Sequence, residues 1–353
     1  MASIIANGTP KNGPIYNLDR GGDVVLLVYD VPSLPETLAN IPVGVLSGEA
    51  QLLERPANNA CVYLIASQKH LVGSSEYFAN LFQAGLKEAQ EYWKKGYVEL
   101  TIRHSLAGGL AFLLLMMIIH HRTRQVPRTI TQQMLLEVAG LADYYKCHAA
   151  VDLWADTWIA AGQTRPLLTG EDIPARYRNW VCIAWAFHKR EVFEWATRRA
   201  IETHEDLIPL EAPMPKPITD RMNQVRSDYL NNLVARLHSL RPQIMSGCLR
   251  YNDYLHGQHQ LCTYLVIAGY TRRMLDLRLV PYPNDPFPRI QIESTLDSLK
   301  NLMDPVGPEE EDDEEAHKNC RLSARVAAVL VEFPAPCGLD LNDIDFPVSA
   351  LDI

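Results

Sequence analysis

The 353-residue chain is 47% hydrophobic and 21% charged, a balance that buries a sizeable core and leaves room for two domains of ordinary size. Its formal net charge of −9 is concentrated in one acidic run, Glu309–Glu315, and the remainder is near neutral, which excludes a general attraction to nucleic acid or to an anionic membrane surface. Seven scattered cysteines, and an N-terminus without the charged and apolar blocks of a signal peptide, set the expectation of a soluble intracellular protein, cytoplasmic or nuclear.

Residues 1–17 are polar and rich in Gly, Pro and Asn, and are expected to form a flexible arm. Gly21–Asp30 (GGDVVLLVYD), Ala60–Ser67 (ACVYLIAS) and Tyr97–Ile102 (YVELTI) have the short Val- and Leu-rich form of strands. Between the first two, residues 31–59 contain four prolines and little periodicity, which predicts an irregular insertion. Within Lys69–Phe82, Leu71, Val72, Ser75, Phe78, Leu81 and Phe82 share one helical face, with Tyr77, Phe78 and Phe82 expected in the core. Leu106–Ile119 is the most apolar segment, but its 14 residues fall short of the ~20 that span a bilayer, so it is read as a buried helix. Helices are expected over Thr131–Tyr145 and Cys147–Ala161.

The cluster Gly162, Pro166, Gly170 and Pro174 marks a domain boundary, giving a first domain at 18–162 and a helical C-terminal region at 163–304. Helices are expected there over Arg176–Phe187, Glu191–His204, Leu261–Leu275 and Ile292–Met303. The aromatic-rich segment Trp180–Trp195 is expected to fill the core of this region. A longer helix is predicted from Thr219, as its N-cap, to just before Pro242, with Met222, Val225, Tyr229, Leu233, Leu237 and Leu240 in one stripe. Residues 305–353 read as an acidic linker and tail. The fold class is therefore α+β: a small three-stranded sheet capped by a helical cluster, then an all-α region.

The polar group Gln68, Lys69, His70, Ser74, Ser75 and Glu76 could pass for a catalytic set. A serine nucleophile needs a base and an orienting third group, and no G-x-S-x-G or S-x-x-K pattern surrounds these serines. Catalytic residues are not assigned, and no enzyme is expected.

The succession GDVVLLV, SQKHLV, S-x-Y-F-x-x-L-F, LKE and YVEL resembles a BTB/POZ domain, in the form found in filamentous fungi. IIHHRTRQVPRTIT and LADYYKCHAAVDLWADTWI resemble the later helices of the same group, so that the likeness covers about 21–161. The resemblance implies a protein–protein interaction scaffold with a BTB/POZ fold. Its implied partners are proteins, among them a cullin, for which the chain would act as substrate adaptor of a ubiquitin ligase. The alternative it implies is an oligomerising nuclear regulator without cullin binding. The residues that match the family's cullin contacts are Leu86 and Glu88, in LKE, and Tyr145, in ADYYK. Those that match its homodimer groove are Asp23 and Lys69, although Ser67-Gln68 stands where animal members carry a basic pair.

Two pairs with H-x2-C spacing, His259/Cys262 and His317/Cys320, together supply a tetrahedral donor set suited to structural zinc. The alternative is a buried Cys262 on an apolar helix and a solvated HKNC loop. The basic turn His120–Arg128 lacks interleaved aromatics and is read as a connection between helices that complements a helix C-terminus, with no nucleic-acid partner.

Overall fold

The computed structural model describes residues 13–344 except positions 30, 32–33, 36–37, 50–60, 84, 104–107, 166–171, 211–213, 247–255, 303, 305–320 and 332. The chain is α+β, with a small mixed four-strand sheet and helices in its N-terminal part and a largely helical C-terminal region. The described residues fall into two compact units. The first lies within Met1–Glu171 and Asn179–Lys189, the second within Asp172–Arg178 and Arg190–Asp345.

In the first unit the strands are β1 (Ile15–Asn17), β2 (Val24–Tyr29), β3 (Cys61–Ala66) and β4 (Val98–Ile102), in the order β1-β3-β2-β4. β2 runs antiparallel to β3 and parallel to β4. Register places Val24, Leu26 and Val28 beside Ala66, Leu64 and Val62 on one side and Val98, Leu100 and Ile102 on the other. This period-2 face is buried throughout. The opposite face is apolar on β3 and β2, where Val25, Cys61, Tyr63 and Ile65 cluster with Ile15, Leu27 and Tyr29. β3 is buried on both faces, which explains its unbroken apolar sequence.

β1 departs from the flexible arm expected over residues 1–17. Its three residues are too few to show alternation, and its order comes from other elements. It pairs in parallel with β3, and the Arg122 guanidinium donates to the carbonyls of Leu18 (2.9 Å) and Asn17 (3.1 Å). The basic turn thus has a partner within the chain. The insertion 31–59 carries a 3-10 turn at Leu38–Asn40 and a four-residue helix, α1 (Val43–Leu46).

The segment read as one helix over Lys69–Phe82 is two, α2 (Gln68–Ser74) and α3 (Glu76–Leu81), broken at Ser75, whose backbone is extended (φ −144°, ψ 121°). The Ser75 hydroxyl accepts from the Phe78 N–H (3.2 Å) as N-cap of α3 and donates to the Tyr145 carbonyl (2.5 Å). α4 (Lys87–Lys95) follows; only its LKE start is singled out in the sequence, although Ala89, Tyr92 and Trp93 stand at i, i+3 and i+4 on one helical face. α5 (Gly108–Ile119) is buried at every one of its 12 residues, as its uniform apolarity predicts. It ends at His121 in the left-handed conformation (φ 57°). α6 (Gln132–Tyr144), capped by the Thr131 hydroxyl, and α7 (His148–Gln163) pack beside it. Helix α8 (Ile173–Ala186) starts in the second unit and ends in the first. Trp180 and Phe187, expected in the C-terminal core, belong to the first unit, where Trp180 lies over Gly162 so closely that a Cβ there would meet its ring at 2.8 Å.

The second unit contains α9 (Arg190–Thr203), α10 (Lys216–Met245), α11 (His256–Asp276), α12 (Ile292–Lys300) and α13 (Leu322–Val331). α10 is longer at both ends than predicted. Pro215 is its N-cap and Thr219 is buried inside it, since Pro217 falls in the first turn, where a missing N–H breaks no helical bond. Pro242 is accommodated in the last turn. α13 lies in the stretch read as linker and tail. Fully buried Arg226 of α10 donates to five carbonyls, those of His204, Glu205, Pro286, Phe287 and Ile290, at 2.7–3.4 Å, and so ties the end of α9 and the PYPNDPFP turn to α10.

Candidate interaction surface

Around α4 the first unit leaves several large side chains exposed. The turn before it passes through Gly85 (φ 109°), and Gly96 (φ 77°) closes it with its N–H on the Tyr92 carbonyl (2.8 Å). Glu88 in the first turn and Lys94 and Lys95 in the last complement the helix dipole. Ala89 is the one buried residue of α4. Tyr92 anchors the helix further: its hydroxyl donates to Asp23 Oδ2 (2.7 Å) and its ring meets Phe82 edge-on at 5.6 Å. Held in this way, α4 leaves Leu86 45% exposed at its N-cap and Trp93 74% exposed.

Beside α4, Tyr77 of α3 and Tyr144 of α6 place their rings 5.3 Å apart, with exposures of 36% and 55%. Burial raises the Tyr77 pKa, and its hydrogen bond to Tyr144 and the negative charge of Glu88 add to the rise. Tyr77, expected in the core, is therefore at the surface. Tyr145 is the reverse: it is 2% exposed and stacks on Phe78 at 5.2 Å with nearly parallel rings, and Phe112 lies 5.4 Å away. Burial pushes its hydroxyl pKa strongly upward. Its ring supports Tyr77 and Tyr144 from beneath, at 5.1 Å and 4.9 Å, and offers no surface to a partner. Of the three residues matched to cullin contacts, Leu86 and half-buried Glu88 are accessible and Tyr145 is not. Sequence reading missed Trp93, Tyr77 and Tyr144 as surface groups. The sequence carries no signal for Trp93, because its i+4 spacing from Ala89 is that of an inward helical face.

Asp23 and Lys69 are not brought together. Both Asp23 oxygens are used inside the domain, Oδ1 accepting from the Gln68 N–H (2.7 Å) and Oδ2 from Tyr92, while Lys69 is exposed. Asp23 thus caps the start of α2. His120 completes the same junction: its Nε2 accepts from the Ser67 N–H (3.0 Å) and its Nδ1 lies 2.8 Å from the Met116 carbonyl. This pairing requires the neutral ring with the proton on Nδ1. Burial lowers the His120 pKa to about 4, with His70 and His121 opposing its charge and Asp19 favouring it. His70 lies 5.3 Å from His120 and 5.4 Å from His121 between ring centroids. With both nitrogens committed, His120 is no metal ligand.

For the zinc set, His317 and Cys320 lie outside the described residues. The side chain of His259 is likewise undescribed, and Cys262 of α11 is half-buried. No group of three or more His, Cys, Asp or Glu that could hold a metal occurs among the described residues. No helix among them is long and apolar enough to cross a membrane. No protein-family model, curated protein or solved structure matches the chain.

Proposed function

We propose that the chain is a protein–protein interaction scaffold with a BTB/POZ-like first domain. Its docking face is built from Leu86, Glu88 and Trp93 with Tyr77 and Tyr144. The observation that carries this reading is the exposure of four large apolar or aromatic side chains around α4. Aromatic residues at this density are the composition of interface hot spots rather than of ordinary surface, and two of the four are rigidly supported by Tyr145. The BTB/POZ assignment draws support from strands at the three places that the resemblance implies, followed by the buried helix α5 and its neighbours α6 and α7.

A cullin is the first partner to test, and the chain would then serve as a substrate adaptor for a ubiquitin ligase. The experiment is capture of a purified cullin N-terminal domain by the full chain, wild type against Leu86→Ala/Glu88→Ala and Trp93→Ala. Binding that weakens at least tenfold in these variants supports the adaptor reading; hot-spot truncations of this kind cost about 2 kcal/mol or more. No binding by the wild type removes the cullin, and equal binding by all three proteins removes the face.

A further inference from the structure

The docking face has a chemical bias that narrows its partner. The Tyr77–Tyr144 pair has a carboxylate, Glu88, within electrostatic reach. Glu88 acts electrostatically on Tyr77, while Glu76, which precedes Tyr77 in α3, acts on His148. Among the described residues neither Glu76 nor Glu88 is in an ion pair. Of the basic groups, Lys146 and His148 face Asp143 at 3.2 Å and 3.7 Å, and Lys95 holds Glu91. Two tilted tyrosine rings with the Glu88 carboxylate at their margin attract a cation in two ways. The ring faces offer the negative end of their quadrupoles, and the carboxylate accepts N–H bonds from a planar fork.

We infer that the Tyr77–Tyr144–Glu88 surface receives an arginine side chain of a partner protein. The guanidinium stacks on the tyrosine rings and donates to the Glu88 carboxylate. Arginine fits better than lysine because a planar guanidinium stacks on a ring while its edge reaches a carboxylate, and its weaker hydration lowers the cost of leaving water. An acidic segment is disfavoured by the same charge.

The inference rests on the reading of this face as a protein-binding surface, and the two fail differently. The test is titration of the full chain with Nα-acetyl-arginine amide, and in parallel with the isosteric, uncharged Nα-acetyl-citrulline amide. The tyrosine ring resonances are followed by NMR and assigned through Tyr77→Phe and Tyr144→Phe. The expected result is saturable movement of the Tyr77 and Tyr144 resonances with the arginine probe, at least about threefold weaker with citrulline and in Glu88→Gln. Tyr144→Ala, at an exposed position, abolishes the response of Tyr77. Equal responses to the two probes, or none to arginine, overturn the inference. If arginine binding is seen but Glu88→Gln and Tyr144→Ala leave it unchanged, the site is elsewhere and the inference is equally overturned. Failure of the arginine titration leaves loss of cullin capture in Leu86→Ala/Glu88→Ala and Trp93→Ala standing on its own, so the two results separate the chemistry of the pocket from the existence of the surface.

Discussion

Lowering the pH from 7.5 to 5.0 is expected to loosen the first unit through His120. The neutral ring joins the start of α2 to the last turn of α5, bonding the Ser67 N–H and the Met116 carbonyl. In the unfolded chain the imidazole titrates near 6.5, and in the fold its pKa falls to about 4, chiefly because burial disfavours the charged ring. A depressed pKa means that the unfolded state takes up the proton first. The stabilisation is therefore complete above pH 6.5 and is lost as pH falls toward 4, at up to about 1.4 kcal/mol per pH unit. Between pH 7.5 and 5.0 this amounts to about 2 kcal/mol. The groups facing His120 are His70, His121 and Asp19. The assay is peptide-resolved hydrogen exchange of the full chain, corrected for intrinsic rates, on peptides covering Cys61–Ala66 and Gly108–Ile119. His120→Gln, which keeps an acceptor toward Ser67, is the comparison. The variant is expected to be less protected at pH 7.5 but to lose about 2 kcal/mol less than wild type on acidification. His148, whose pKa burial also lowers, slopes the same way in both proteins and cancels in the difference. Parallel pH dependence of wild type and His120→Gln would refute the reasoning.

In the second unit, Arg226→Met removes the donor from five carbonyls, three of them in buried bonds, and a loss of about 3–5 kcal/mol is expected, read as a lowered thermal midpoint. Arg226→Lys is expected to recover only part of it, because an ammonium has three donors at a single point and cannot span carbonyls from two segments. Ser75→Ala removes both the α3 cap and the bond to Tyr145, at a cost of about 1–3 kcal/mol in urea unfolding. Trp93→Ala, by contrast, is expected to shift stability by less than about 0.5 kcal/mol, since the side chain is 74% exposed; a large loss would place Trp93 in a packing role and against a docking one.

The elements with strong local patterns were legible in the sequence. β2 follows from a dense Val and Leu run, β3 from an unbroken apolar stretch, β4 from the alternation of VELTI, and α5 from a uniformly apolar segment. What escaped is fixed by contacts distant in sequence. β1 exists because β3 and Arg122 bind its backbone. The break at Ser75 depends on the Tyr145 carbonyl, 70 residues away. The two-helix outcome there cannot be distinguished by periodicity, because the apolar spacing of Leu71, Phe78 and Phe82 suits either. The same limit applies to the exposed tyrosines. Tyr77, Tyr144 and Tyr145 are alike as letters, and only the packing of α3, α5 and α6 decides which ring goes inward. Phe78 and Phe112 claim Tyr145, and its two neighbours are left outside. Asp23 and Lys69 were matched to a groove by position alone, while the fold uses Asp23 to cap α2.

The account turns on the α3–α4–α6 face being where this protein meets its partners. The most direct measurement is photo-crosslinking in the native cell, with benzoylphenylalanine placed at Trp93 or at Tyr144, and at Leu153 as an equally solvent-facing control, 76% exposed on α7. The account predicts that Trp93 and Tyr144 give the same discrete adduct with a second protein and that Leu153 gives none. Adducts from Leu153 alone, or none from Trp93 and Tyr144, would contradict it.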